Sequence, residues 1–292
     1  MDVIELASGP ARASLALHGA ELLRWSVGGT PLLWDKDQTF WDGTAPILFP
    51  LVGWTRGGQA RVFGQTYSLG LHGFARSMTF SPGVITPDRV RLTLSSSAES
   101  LRLYPFAFWL CVGYRLAKDS LTTTLTVKNR GEGPMPYACG LHPGFRWPFA
   151  GGEPKDYQIS FAAQEDPLTP GISRQGLFQA ARRRVPLNGR GLALKPELFA
   201  EEALCFLNAR SRGLRFEHKD GAAIAIEMSN FNHFALWSKA GASFLAIESW
   251  TGHGDPEDFQ GDLFEKPSMR ILAPGAVAHH VARYSFIAPP SG

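Results

Sequence analysis

One carboxylate stands inside an apolar run, Phe244-Leu245-Ala246-Ile247-Glu248-Ser249-Trp250. Strand alternation places Leu245 and Ile247 on one face and Ala246 and Glu248 on the other. Taking an ionised carboxylate out of water costs roughly several kcal/mol unless partners or a shifted pKa compensate. Glu248 is therefore either half of a structural ion pair or a group poised for proton transfer at a strand end. Trp250-Thr251-Gly252 follows directly, so the strand opens into a loop beside an aromatic ring.

Two histidine segments bear on that choice. In Leu71-His72-Gly73-Phe74-Ala75-Arg76, His72 is followed by a glycine and flanked by the donor fork of Arg76. In Gly140-Leu141-His142-Pro143-Gly144-Phe145, the proline ends any strand at His142 and presents the imidazole there, with Phe145 nearby. Taken alone, His72 reads more readily as a satisfied structural histidine, and His142 equally as one held in a turn. Together, a strand-end carboxylate, two imidazoles and neighbouring aromatic rings suit acid–base chemistry on a polyhydroxylated ring. Aromatic rings cover the apolar face of a sugar, while arginine, histidine and carboxylate groups read its hydroxyls.

The elements that must position these groups are short strands. Val90, Leu92 and Leu94 alternate with polar residues, as do Leu121, Thr123, Leu125 and Val127, then Ile224 and Ile226, then Tyr284 and Phe286. Thirty-one glycines and twenty-one prolines punctuate these runs in turn clusters such as Ser81-Pro82-Gly83 and Gly131-Glu132-Gly133-Pro134. The pattern predicts an all-β fold, a large antiparallel β-sandwich or barrel with few short helices. Pro196 to Leu207 is the run expected to make a helical turn or two. Residues 163–196 are polar and rich in Pro, Gly and Arg, and read as a long excursion over the surface. No linker divides the chain, so one domain spanning 1–292 is expected.

Composition removes several classes. A net charge of +3, with Arg182-Arg183-Arg184 as the one compact basic run, does not mark a nucleic-acid-binding surface. No apolar run approaches the ~20 residues that cross a bilayer. The amino terminus lacks a secretory pattern. Cys111, Cys139 and Cys205 are scattered, with no CxxC spacing, which fits a reducing compartment and a cytoplasmic location.

The chain resembles the aldose 1-epimerase (mutarotase) family, in a bacterial branch with LFP-VG, HGFAR, HP-F and a late IEPW-G segment. Here these are Leu48-Phe49-Pro50 with Val52-Gly53, His72 through Arg76, His142-Pro143-Gly144-Phe145, and Ile247-Glu248-Ser249-Trp250-Thr251-Gly252. The match covers nearly the full length and keeps the order and spacing; Ser249 stands where proline is usual. The resemblance implies a large antiparallel β-sandwich with an open sugar-binding face and neither cofactor nor metal. It implies Glu248 as general base, His142 as general acid, and His72 and Arg76 as substrate contacts, with Phe145 and Trp250 beside them. Where many relatives carry a sugar-contacting arginine after Val52-Gly53, this chain has Trp54, with Arg56 two residues on. An acidic substrate contact corresponds to Glu202, or to Glu201.

The expected partner is a small-molecule aldose, with no nucleic acid or membrane; monomer and homodimer are both left open. Arg56, Arg61, Arg76 and Arg146 lie near the motif segments, and a cluster of them would suit a phosphorylated sugar. A non-catalytic carbohydrate-binding protein on the same scaffold is the rival reading. A metal enzyme is another, prompted by His253-Gly254-Asp255 and His279-His280, although adjacent histidines on a strand point to opposite faces. A glycosidase would need a second carboxylate, for which Asp255 and Glu202 are candidates.

Overall fold

The computed structural model describes residues 3–290. The alternating runs form strands, and the pairings within and between named strands are antiparallel. Nine strands make the largest sheet, running from Gly191–Ala193 at one edge through Tyr157–Phe161, Gly213–His218, Ala223–Ser229, Val277–Ile287, Ser120–Asn129, Phe108–Leu116 and Arg89–Ser95 to Ser81–Thr86. A second sheet joins Leu204–Phe206, His233–Trp237, Phe244–Trp250, Gly140–Leu141 and Ile47–Leu48, with Gly144–Arg146 also paired to Phe244–Trp250. A four-stranded sheet is built from the first thirty or so residues, Val3–Ser8 to Thr30–Pro31.

The inward residues of these sheets share one apolar core that runs from Leu6 to Tyr284 along the chain. Leu245 and Ile247 enter this core. The opposite face of the same strand is also covered, by Ala246 and Phe244 against Trp34, Trp41 and Trp237, and by Trp250 against Ala235, Cys205 and Phe178. Glu248 lies on that second face, between two apolar clusters, which is why a strand with a charge in it is buried along its whole length.

One local expectation is corrected. Pro196–Phe199 forms only a 3-10 turn, and Leu204–Phe206 is a strand, because pairing of Leu204, Cys205 and Phe206 with Leu236, Ala235 and Phe234 outweighs local helix preference. The α-helix is instead Ala98–Leu103, opened by a capping box in which the Ser97 hydroxyl accepts from Ser100 N–H and Ser100 returns the bond. The surface excursion at 163–196 contains a hairpin, Leu168–Ile172 with Phe178–Arg184, whose turn residues Arg174 and Gly176 line a cavity at the second sheet.

Phe145 pairs opposite Leu245 and shares its inward direction, so its ring lies in the core 5.5 Å from that of Tyr284. It does not line the cavity that Glu248 and His142 border, contrary to the sequence expectation: Gly144 and Arg146 alternate with it on the other face. Phe145→Ala is expected to lower unfolding free energy by about 3–5 kcal/mol, as for other buried aromatic truncations. Urea titration followed by tryptophan fluorescence measures it.

Candidate active site

Strand register brings the carboxylate and the first imidazole together. Gly140 pairs with Trp250, Leu141 with Ser249 and Gly144 with Ala246, so the intervening His142 stands across from Glu248. His142 Nε2 is 3.2 Å from Glu248 Oε1. The other carboxylate oxygen accepts the indole N–H of Trp250, two residues along the same face, at 3.0 Å. Thr251 anchors the strand end: its hydroxyl accepts from Cys139 N–H at 2.8 Å and its own N–H donates to Cys139 carbonyl at 2.9 Å.

His72 arrives from a turn held in the left-handed region, φ +63°, where a side chain larger than glycine is strained. Gly73 follows at φ +71°; a β-carbon there would lie 2.4 Å from the Phe49 carbonyl oxygen, so only glycine fits. His72 and Gly53 bond reciprocally: Gly53 N–H donates to His72 Nδ1 at 3.1 Å, and His72 N–H donates to the Gly53 carbonyl at 3.0 Å. With its Nδ1 lone pair used, neutral His72 carries its hydrogen on Nε2 and is a fixed donor. The His72 and His142 rings are 5.6 Å apart and perpendicular.

These groups open on a cavity of about 490 Å³. Trp41 lies 4.9 Å from the His142 ring at a shallow tilt, and Trp237 meets the same imidazole edge-on at 5.8 Å. Gly144 leaves space for Trp41, since a β-carbon there would be 2.7 Å from the indole. Burial raises the Glu248 carboxyl well above the usual carboxylate range, and the Trp250 hydrogen bond offsets only part of that. Burial likewise lowers His142 and His72, with the Arg76 guanidinium adding to both. At the 3.2 Å contact, burial thus shifts the carboxyl toward its protonated form and the imidazole toward its neutral form.

Of the residues singled out in the sequence, Glu248, His142, His72, Arg76, Trp54, Glu202 and Trp250 all border this cavity. Arg56 does not; it lines an adjoining concavity that shares Trp54 and Arg174 with the first. Neither Arg61 nor Arg146 reaches it: Arg61 lies on the strand Gln59–Val62, and Arg146 Nε–H donates to the Leu33 carbonyl at 3.2 Å. Trp41, Trp237, Arg174 and Phe178 were missed. Trp237 had a signal, two-residue alternation with His233 and Ala235; the others lie outside any motif.

The adjacent histidines His279 and His280 are committed elsewhere. His279 faces outward against Thr126, while His280 is buried with its ring nitrogens on Tyr137 Oη and the Asn230 carbonyl. His72, His142 and Glu248 together place three ligand-type atoms within 4.8 Å of one another. They are a poor donor set for a metal. The Gly53 bond and the Nε2 hydrogen leave His72 no free lone pair, and His142 Nδ1 has no outer partner to orient it.

Fold and site together give an antiparallel β-sandwich with a buried carboxylate–imidazole pair at the floor of an aromatic-walled cleft, the architecture of the mutarotase-like isomerases that it matches. The sequence model for aldose 1-epimerase matches residues 2–284, and the chain belongs to that family. It is 32% identical over 257 residues to the LacX protein of Lactococcus lactis subsp. lactis, covering 84% of this chain and 86% of that protein. A galactose mutarotase related enzyme of Lactobacillus acidophilus superposes with a TM-score of 0.92 at 25% identity, covering 99% of this chain and 98% of that one. A galactose mutarotase-like protein of Lactobacillus casei gives 0.91 at 27% identity, covering 98% of this chain and 100% of that one. A shorter stretch, 145 residues and 45% of each chain, is 32% identical to an Escherichia coli K12 protein described as a candidate glucose-6-phosphate 1-epimerase. Among the described residues no helix is long and apolar enough to cross a membrane.

Proposed function

We propose that this protein interconverts the α and β anomers of an aldose, with Glu248 as general base and His142 as general acid. The observation that carries the reading is the 3.2 Å contact between these two buried groups at the floor of an indole-walled cavity. Anomers exchange through the open-chain aldehyde. Opening the hemiacetal removes the proton of the anomeric hydroxyl while the ring oxygen gains one. In the charge-separated form of the pair, Glu248 takes the first proton and His142 delivers the second. Burial alone favours the neutral form, with the carboxyl protonated and the imidazole neutral. Sugar oxygens entering between the two supply the hydrogen bonds that support the charged one. Rotation about the bond next to the carbonyl exposes its other face, and the two groups exchange roles as the ring closes. His72 Nε2–H donates to a substrate oxygen throughout, and no metal or nucleotide enters the scheme.

Polarimetry tests the reading. Fresh α-glucose or α-galactose should relax to equilibrium faster with purified protein than with buffer. Saturable sugar binding without that acceleration would leave a carbohydrate-binding protein instead.

A second reading concerns the substrate. Arg182, Arg183 and Arg215 pair with Asp166, Glu201 and Glu217. Arg56, Arg76 and Arg174, in contrast, have no carboxylate partner among the described residues, and they border the two adjoining cavities. Free guanidinium groups beside a sugar cleft suit a phosphorylated aldose. Arg174→Ala should then raise KM for glucose 6-phosphate about 10- to 100-fold, the value of one charge-assisted hydrogen bond, and leave glucose unaffected. An equal effect on both sugars would rule out a phosphate role for Arg174.

A further inference from the structure

Behind the cavity wall lies a charged pair that the proposed chemistry does not use. Lys266 Nζ is 2.7 Å from Asp255 Oδ1, and both side chains are almost wholly buried. Burial lowers the Lys266 ammonium and the Asp255 carboxylate opposes that shift. Removing two ions from water costs several kcal/mol each, so such a pair is weak evidence of a role in stability. What Asp255 holds suggests another role. Its second oxygen accepts Arg56 N–H at 2.8 Å. Its own N–H donates to the Trp54 carbonyl, and its carbonyl accepts Phe178 N–H, both at 2.9 Å. One residue thereby ties together the turn at 54–56, the hairpin at Phe178 and the loop that follows Phe244–Trp250.

Gly53 is the next link. It packs against Gly254 so closely that a β-carbon would lie 2.7 Å from the Gly254 Cα. Gly53 is also the residue whose N–H fixes His72 Nδ1. A displaced 53–56 turn would free that nitrogen, and His72 could then carry its hydrogen on either side.

We infer that Asp255, its buried charge balanced by Lys266, is a positioning residue: the acceptor it gives Arg56 N–H clamps the Gly53–Arg56 turn and so locks His72 as the Nε2–H tautomer facing the cavity. Asp255 does not line the cavity and acts through the turn that carries Gly53. Lys266 Nζ sits on Oδ1 and balances the buried charge, while Oδ2 is the acceptor for Arg56 N–H. The inference rests on the proposed part played by His72.

Three proteins test it, by long-range ¹H–¹⁵N correlation of the imidazoles and by anomer-exchange kinetics. In the wild type, His72 should show the single Nε2–H tautomer at neutral pH; an Nδ1–H tautomer overturns the inference at once. Asp255→Asn with Lys266→Met keeps an acceptor for Arg56 N–H and leaves no unpaired charge, so the tautomer should hold and kcat should stay within about threefold, small beside the 10- to 100-fold cost of losing an orienting partner. Asp255→Leu with Lys266→Met removes the acceptor. There both His72 tautomers should appear and kcat should fall about 10- to 100-fold with KM little changed. A folded Leu/Met protein with one tautomer and unchanged kcat overturns the inference. If that protein does not fold, loss of the tautomer or of kcat in folded Asn/Met protein does so instead. Absence of anomer exchange in the wild type would sink the proposed function, while the tautomer measurements would still decide the clamp.

Discussion

Glu248→Gln should lower kcat/KM for anomer exchange by roughly 100- to 10,000-fold, the range typical of a lost general base, while the fold survives. Glutamine has the same shape, and its amide oxygen can still accept the Trp250 indole N–H that the carboxylate accepts at 3.0 Å. Stability should be unchanged or improved. Burial raises the Glu248 carboxyl in the folded state, whereas in the unfolded chain it titrates near its ordinary value. As pH rises through that ordinary value, the unfolded chain ionises first and the fold loses stability; an amide has no such dependence. Thermal melts of wild type and variant across pH, set beside polarimetric rates, check both halves. A variant that exchanges anomers as fast as the parent would remove Glu248 from the reaction.

His142→Gln should cost a comparable factor, roughly 100- to 10,000-fold, and it should also change the pH profile. In the wild type the active form holds one proton between Glu248 and His142. Burial lowers His142 below the ordinary imidazole range and raises Glu248 above the carboxylate range. The acid limb of kcat/KM, where the pair takes a second proton, therefore falls at about 3, to which burial lowers His142, and the alkaline limb, where the pair loses its only proton, follows the raised Glu248 carboxyl. Groups with ordinary values would confine activity between about 4.3 and 6.5. An acid limb at the ordinary carboxylate value of about 4.3 would show that burial does not set the protonation of the pair. Without His142, what remains of the profile should follow Glu248 alone.

Sequence reading went furthest where local rules suffice. Period-two alternation around Leu92, Leu125 and Ile226 made the strands legible, because a strand buried on one face repeats every two residues. Pro143 and Gly73 marked where His142 and His72 leave regular backbone, since those residues restrict or extend the dihedral choices of the chain. Glu248 was conspicuous as a charge in an apolar strand. Phe145 was misread because proximity in sequence to His142 says nothing about which face a side chain takes; one residue of offset sent it into the core. Leu204–Phe206 was misread because its strand pairing with Phe234 to Leu236 is a long-range contact with no local signature.

By itself, then, the chain determined which segments become strands, where they break, and which chemically capable residues stand at the breaks. Tertiary structure alone decided that Glu248 and His142 meet, because that depends on the register between Gly140–Arg146 and Phe244–Trp250. It alone added Trp41, Trp237 and the hairpin residues Arg174 and Phe178 as walls. The protonation of the pair was likewise undecided until those walls were in place. A pKa depends on how much water surrounds a group, and the rings that exclude water from Glu248 come from parts of the chain far away in sequence.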